Sequence, residues 1–480
     1  MELPPDIRSL IEGLQQEIAE LRLEVSALRE ENADLRRRLG LDSSNSGKPP
    51  SSDGLGKKTR EARIAGSLRG RMGSDKKKSG GQRGHKGDTL RAVDKPDKVE
   101  THHAERCGHC LAALTASMAT GVERRQVFDL PEPRMEVTEH RASIYRCAGC
   151  RGVTKAAFPE GVTCHVQYGP RVKAAAIYLN TQQLIPEDRV GDILREMLGA
   201  GRLCPASITA WCARKAEDLG AFAADVAARI ARAPVRNLDE TGFRVGGKTW
   251  WLHTASTPTM TAYRVSRKRG ALPAGLEGGV IVHDHFKSYY TLPGVEHALC
   301  NAHHLRELKA LIDIEKEPWA KKMFRLLLKA NRAVRRAIQK GWTALANRTF
   351  RRIVGLYDAI VAQGLAFHEA QPPLARRSAK SRGRAPKRPG HNLLIRLRDF
   401  RADVLRFMGD FAVPFTNNLA EQDIRMTKVK MKISGGFRTA TGAEVFATLR
   451  AVLSTARKQG WNILETLQAH PPTLFAALTG

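Results

Sequence analysis

Between Ile11 and Leu39 apolar positions recur three and four residues apart, through Ile11, Leu14, Ile18, Leu21, Val25, Leu28, Leu35 and Leu39, with polar Asn32 inside the series. With Ile11 at heptad position a, β-branched Ile11, Ile18 and Val25 fall at a and Leu14, Leu21, Leu28 and Leu35 at d. That pairing favours a parallel two-stranded coil, and Asn32 at a favours the same state. Glu17, Glu24 and Glu31 at g face Arg22, Arg29 and Arg36 at e of a parallel partner. Residues 8–40 therefore read as a dimerisation helix. An amphipathic helix packed on its own chain is the plainer alternative.

The pattern then stops. Residues 41–98 form a linker, LDSSNSGKPPSSDGLG and then a basic, glycine-containing run with Lys76, Lys77 and Lys78, too poor in apolar residues to fold alone. Over 99–165, QVFDL and MEVTEHRASIYRC alternate like a hairpin between two CxxC pairs. Helix periodicity dominates 166–232, where Gly199–Ala200–Gly201 separates two helices and Pro205 and Ser207 start the second. This block reads as a helix-turn-helix, with Pro205 to Lys215 entering a major groove, or as a plain helical packing unit. From 233 to 302 the period shortens: VRNLDE, TWWLHTAS, MTAYRVS and GGVIVHDH suggest consecutive strands joined by hairpins. Residues 303–412 are helical again and contain a Pro/Arg/Lys arm, and 413–480 open on a helix that Asn417 or Asn418 can cap. The fold class is multidomain α+β.

Composition narrows the partners. Seventy-nine Lys and Arg against 49 Asp and Glu give the 480 residues a formal charge of +30, which fits a polyanion, nucleic acid first. An anionic membrane surface is the rival partner, but no apolar run reaches the roughly 18 to 20 residues of a spanning helix. The opening MELPPDIRSL lacks a secretory pattern, so a cytoplasmic protein is expected. Of eight cysteines, Cys107, Cys110, Cys147 and Cys150 form two knuckles suited to a tetrahedral, structural Zn²⁺ in a zinc-ribbon-like module, with a redox pair as the alternative.

Three acids stand apart. Asp239 lies in the first strand, Asp284 follows Val280–Ile281–Val282, and Glu421 falls in the first turn of a helix. Two strand-borne aspartates and a helix-borne glutamate suit a two-metal phosphoryl-transfer site, in which hard cations roughly 3.5 to 4 Å apart bind oxygen ligands. Arg425, Lys428 and Lys432 share nearly one helical face with Glu421, and with Arg438 they are candidate DNA contacts, as are Lys76 to Lys78. Singly, each feature has a plainer reading: Asp–Glu–Thr–Gly is also a turn, and Glu421 with Arg425 is also a surface ion pair. Asp423 points away from Glu421 and is expected to be structural.

Asp239–Glu240–Thr241–Gly242, the strand into Asp284, Cys300–Asn301–Ala302–His303 and Asn417–Asn418–Leu419–Ala420–Glu421, in this order after a coiled coil, a Ser/Pro linker, GGQRGHKG and CxxC knuckles, resemble the insertion sequence 66 family of DDE transposases. The resemblance implies an RNase H-like α/β catalytic domain with a helical insertion. It also implies Asp239, Asp284 and Glu421 as an acidic triad for Mg²⁺ (or Mn²⁺), DNA ends and target as partners, and accessory proteins of the same element. Gln422 departs from the family, which often has Arg there, and weakens a phosphate contact at that position. Cys300 and His303 have the spacing of a metal pair but no second pair nearby, so His303 reads as structural or DNA-positioning, while His283 or His285 is placed to orient a ligand. A non-catalytic zinc and coiled-coil DNA-binding regulator, or a nuclease that cuts without joining, are the competing functions.

Overall fold

Heptad patterning, high helix propensity and the absence of an interior proline give one long helix, α1 (Pro5–Gly40). Its Leu14, Ile18, Leu21, Val25 and Leu28 are between 44% and 55% exposed, an apolar row left to solvent within one chain. The computed structural model describes residues 5–41, 45–46, 90–130, 135–272, 275–374 and 386–478. Lys76, Lys77, Lys78, the GGQRGHKG motif and part of the Pro/Arg/Lys arm lie outside the described residues. No helix among the described residues is long and apolar enough to cross a membrane.

The chain divides into two units, residues 55–137 with 197–199, and the remainder. Among the described residues the smaller holds little regular structure. Arg106 bridges Ala113 across the first cysteine knuckle, and the Gln126 side chain both donates to and accepts from the Val93 backbone, standing in for a strand partner.

In the larger unit, β1 (Ile144–Arg146) and β2 (Val153–Lys155) pair across the second knuckle. A helical block follows: α2 (Pro170–Ile177), α3 (Glu187–Leu198), α4 (Pro205–Asp218) and α5 (Gly220–Arg232), with Pro205 opening its helix as expected and Pro170 opening another. The sheet comprises β3 (Val235–Val245), β4 (Lys248–Ser256), β5 (Thr261–Ser266), β6 (Val280–His283) and β7 (Glu296–Leu299), in the order β5-β4-β3-β6-β7. Only the first three strands are joined by hairpins. Contrary to the hairpin pattern expected throughout, β6 runs parallel to β3, and β7 parallel to β6. The physical reason is burial: all four β6 residues are buried, as an interior parallel strand requires. Buried Arg236 binds this crossover by donating to the carbonyls of Ala231, Ala233 and Glu277.

After β7 come α6 (Asn301–Ala310), α7 (Pro318–Gln339), α8 (Asn347–Glu369), α9 (Pro389–Asp399) and α10 (Arg401–Gly409), with Trp319, Met323, Leu327, Tyr357 and Leu394 among their buried side chains. The chain then returns as α11 (Asn418–Ser434) and α12 (Ala440–Lys458), which lay Ile424, Ala443 and Ala447 on Phe243, Val245 and Leu252 of the sheet. The link between them needs its glycines. Gly435 has φ of +69°, and a Cβ on Gly436 would lie 2.7 Å from the Arg244 carbonyl, where Phe437 N donates to that oxygen. Short α13 (Ile463–Gln468) and α14 (Pro471–Ala477) close the chain, Phe475 resting edge-on to Phe222.

Asp423 ties α11 to this framework. Its Oδ2 accepts from Ser256 Oγ at 2.6 Å, Thr261 Oγ1 at 2.8 Å and Lys458 Nζ at 2.7 Å, so three elements converge on one carboxylate. Asp423→Ala would strand a nearly buried ammonium and two hydroxyls, and is expected to lower stability by roughly 3 kcal/mol, read as an earlier denaturant midpoint. Asp423→Asn should fall between the two.

Candidate active site

Strand register brings the two aspartates together. Asn237 on β3 pairs with Val282 on β6, so Asp239 and Asp284 stand two residues beyond the same rung of adjacent parallel strands. Asp239 Oδ1 accepts from Glu240 N at 2.9 Å. Asp284 sits in a tight turn in which Phe286 N donates to its Oδ1 at 3.0 Å and His285 takes a left-handed φ of +74°. Glu421 enters from the first turn of α11. Withdrawal from water, then the charges of Asp284 and Glu240, with a smaller push from Glu421, raise the Asp239 pKa to about 8. Asp284 and Glu421, far from Asp239 in sequence, thus act on it in the fold.

The block around Cys300 closes the site. Cys300 N donates to His283 O at 2.8 Å, and Asn417 N to Cys300 Sγ at 3.1 Å. The thiol, held neutral by burial that pushes its pKa up to about 11, faces Glu421 Oε1 at 3.9 Å. His303 Nδ1 lies 3.8 Å and Arg306 Nη2 3.6 Å from that same oxygen. The ligand atoms of Cys300, His303 and Glu421 fall within 4.8 Å of one another, so the partner that the Cys-x-x-His pair lacked in the sequence is the glutamate. His304, by contrast, is buried against Asn301 Oδ1, and His283 is spent on His297 Nδ1 and the His285 amide, so neither faces a ligand.

Asn417 does not serve as the side-chain cap expected of it. It occupies the N-cap position of α11, but its amide makes no capping bond. Instead Nδ2 donates to Leu238 O at 2.7 Å and Oδ1 accepts from Asn237 Nδ2 at 2.8 Å. The amide thereby pins the glutamate's helix to the strand that carries Asp239. Two consecutive asparagines before a helix were a signal for capping and carried none for this contact.

The basic residues read from the helix pattern lie at the surface: Arg425, Lys428 and Lys432 of α11, and Arg438 beyond its end, are all exposed.

Comparison with protein families bears on this arrangement. Residues 165–445, more than half of the chain, match the family described as transposase IS66 family. The chain belongs to the IS66 transposase family. Residues 104–151 match the zinc-finger binding domain of transposase IS66, and residues 2–91 a family of unknown function, DUF6444. Comparison with curated proteins gave no match.

Both cysteine knuckles of this IS66 family chain fall inside the zinc-finger match, and each has the same local geometry. Leu111 N donates to Cys107 O at 3.0 Å with Leu111 at φ of +61°; Arg151 N donates to Cys147 O at 2.9 Å with Arg151 at φ of +60°. The amides of Cys110 and His109 lower the Cys107 pKa, and those of Cys150 and Gly149 lower that of Cys147. Such thiolate-favouring turns fit a zinc ligand.

The Asp239 shift has a measurable consequence. Between its ordinary 3.8 and about 8 the folded chain binds this proton more tightly than the unfolded chain, so metal-free stability falls as pH rises through that window. Asp239→Asn should therefore raise metal-free stability at pH 8 by on the order of a few kcal/mol, seen as a higher melting temperature, and lose the advantage near pH 4. Thermal unfolding across pH checks this.

Proposed function

We propose that the chain cuts and joins DNA strands at the ends of its insertion sequence by metal-dependent phosphoryl transfer. The reading is carried by the approach of Asp239, Asp284 and Glu421 from two parallel strands and a helix, with Asp284 and Glu421 both adding to the rise in the Asp239 pKa. Clustered carboxylates of this kind are stabilised in their charged form by divalent cations. Mg²⁺ (or Mn²⁺), when bound by these three residues, would activate a water or 3′-hydroxyl and stabilise the leaving oxygen. Asp239 and Asp284 hold the fixed strand side of such a site, while Asn417 sets the approach of Glu421. Arg425, Lys428, Lys432 and Arg438 are placed to take phosphates beyond it. The mixed sheet, with Asp239 and Asp284 just beyond the parallel pairing of β3 with β6, supports an RNase H-like core. Pro205 to Lys215 presents exposed Thr209, Ala213 and Arg214 as a recognition surface, and the cysteine pairs of residues 104–151 would hold structural Zn²⁺.

The test is incubation of labelled element-end DNA with the wild-type chain and with Asp284→Ala, in Mg²⁺ or EDTA. Nicked and joined products from the wild type in Mg²⁺ alone are expected, with binding kept and turnover reduced at least about a thousandfold in the variant. Binding without products in both would favour a DNA-binding regulator. Products that are cut but never joined would favour a nuclease.

The apolar row of α1 supports a parallel two-stranded coil through residues 8–40. Leu21→Glu together with Leu28→Glu is expected to convert a dimer to a monomer in sedimentation equilibrium at micromolar concentration. An unchanged mass would assign the row to another partner.

A further inference from the structure

A fourth carboxylate stands beside the three acids, and its surroundings do not suit a metal ligand. Glu240 follows Asp239 on β3 and its side chain is only 1% exposed. Placing it there adds to the repulsion that Asp239 already experiences. Both its oxygens are committed: Oε1 accepts from Nε and Nη2 of Arg269, at 3.0 and 2.7 Å, and Oε2 accepts from Tyr289 Oη at 2.6 Å. What Glu240 does is hold a guanidinium.

Arg269 is held on its faces as well as its edge. Its Cζ lies 4.1 Å from the centroid of the Phe286 ring and 5.0 Å from that of Trp251. Phe286 belongs to the turn that fixes Asp284, since its amide donates to Asp284 Oδ1. The side chain nevertheless remains 45% exposed, and among the described residues Nη1 has no hydrogen-bond partner. A guanidinium fixed in this way has already lost the rotamer freedom that phosphate binding would cost, and keeps donor capacity at its outer edge.

We propose that Arg269 donates to a non-bridging phosphate oxygen of the DNA strand held at the three acids, with Glu240, Trp251 and Phe286 as its positioning residues. The inference rests on the phosphoryl-transfer reading above and adds a phosphate contact on the strand side of the site, opposite in origin to the cations of α11. It also gives the acid adjacent to Asp239 a role: Glu240 neutralises and aims a cation.

Element-end DNA carrying one uncharged methylphosphonate at a time, scanned along the phosphates flanking the cleaved bond, tests this with wild type, Arg269→Ala, Arg269→Lys and Glu240→Gln. Arg269→Ala should change end binding by no more than about twofold, one contact among many. It should slow strand cleavage roughly 10- to 100-fold. At one position the methylphosphonate should slow the wild type comparably and slow Arg269→Ala little further. Glu240→Gln, which frees the guanidinium, and Arg269→Lys, which keeps the charge without the fork, should fall between. Losses that multiply at every phosphate, or wild-type cleavage by Arg269→Ala, would overturn the contact and leave Arg269–Glu240 a stabilising ion pair. If Arg269→Ala fails to fold, the same non-additivity is read from Arg269→Lys. Absence of cleavage by the wild type in both Mg²⁺ and Mn²⁺ would remove the phosphoryl-transfer reading and this one together.

Discussion

Repulsion among carboxylates is the constraint around which the larger unit is built. Burial and then the charges of Asp284, Glu240 and Glu421 raise the Asp239 pKa to about 8, which shows how unfavourable a further negative charge is at this withdrawn position. Left to side-chain freedom, the acids would separate. Backbone geometry prevents this: Asp239 is mid-strand, Asp284 is locked in a turn with a left-handed residue behind it, and Glu421 is fixed by its helix. Such strain persists only where surrounding packing enforces it.

Helix α11 bears most of that enforcement, and it does so with three kinds of contact along its length. At its start, Asn417 joins it to Leu238 and Asn237 by hydrogen bonds and to Cys300 through a sulfur acceptor. One turn on, Asp423 gathers Ser256, Thr261 and Lys458. Beyond that, Ile424 and Met431 pack on the sheet beside Phe243 and Leu252. Polar contacts fix its register and apolar ones its distance, so the position of Glu421 is over-determined. The helix is then free to expose Arg425, Lys428 and Lys432 on its remaining face.

Periodicity made much of this legible. The heptad of α1, the proline starts at Pro170 and Pro205, the hairpin strands β3 to β5 and the return helix at Asn418 all follow from local pattern. The parallel placement of β6 did not, because a short run of buried Val and Ile has the same period in either direction and its partner is set by a crossover. Strand β7, four residues long, carried no signal of its own. Among the candidate site residues, Asp239, Asp284 and Glu421 were singled out from their positions in a strand, after an apolar strand and in the first turn of a helix. Asn417, Arg306 and Arg269 were not: each acts through a neighbour remote in sequence, and Asn before a helix or Arg in a loop has an ordinary local explanation.

The same distinction accounts for the opposed charges of the chain. A net charge of +30 describes the surface and favours DNA, yet the centre of the proposed site is acidic. Acid at the centre without ions would repel the phosphate that the surface attracts. Bound divalent cations would reverse the local sign, so the proposed centre would attract phosphate only when loaded, while the outer cations of α11 would attract it always. Glu240 adds to this logic by being neutralised within the protein, which leaves three carboxylates, rather than four, for ions to compensate. DNA held by the surface alone would therefore meet a repulsive centre until the ions arrive, and this orders binding before chemistry by electrostatics without requiring any part of the fold to move.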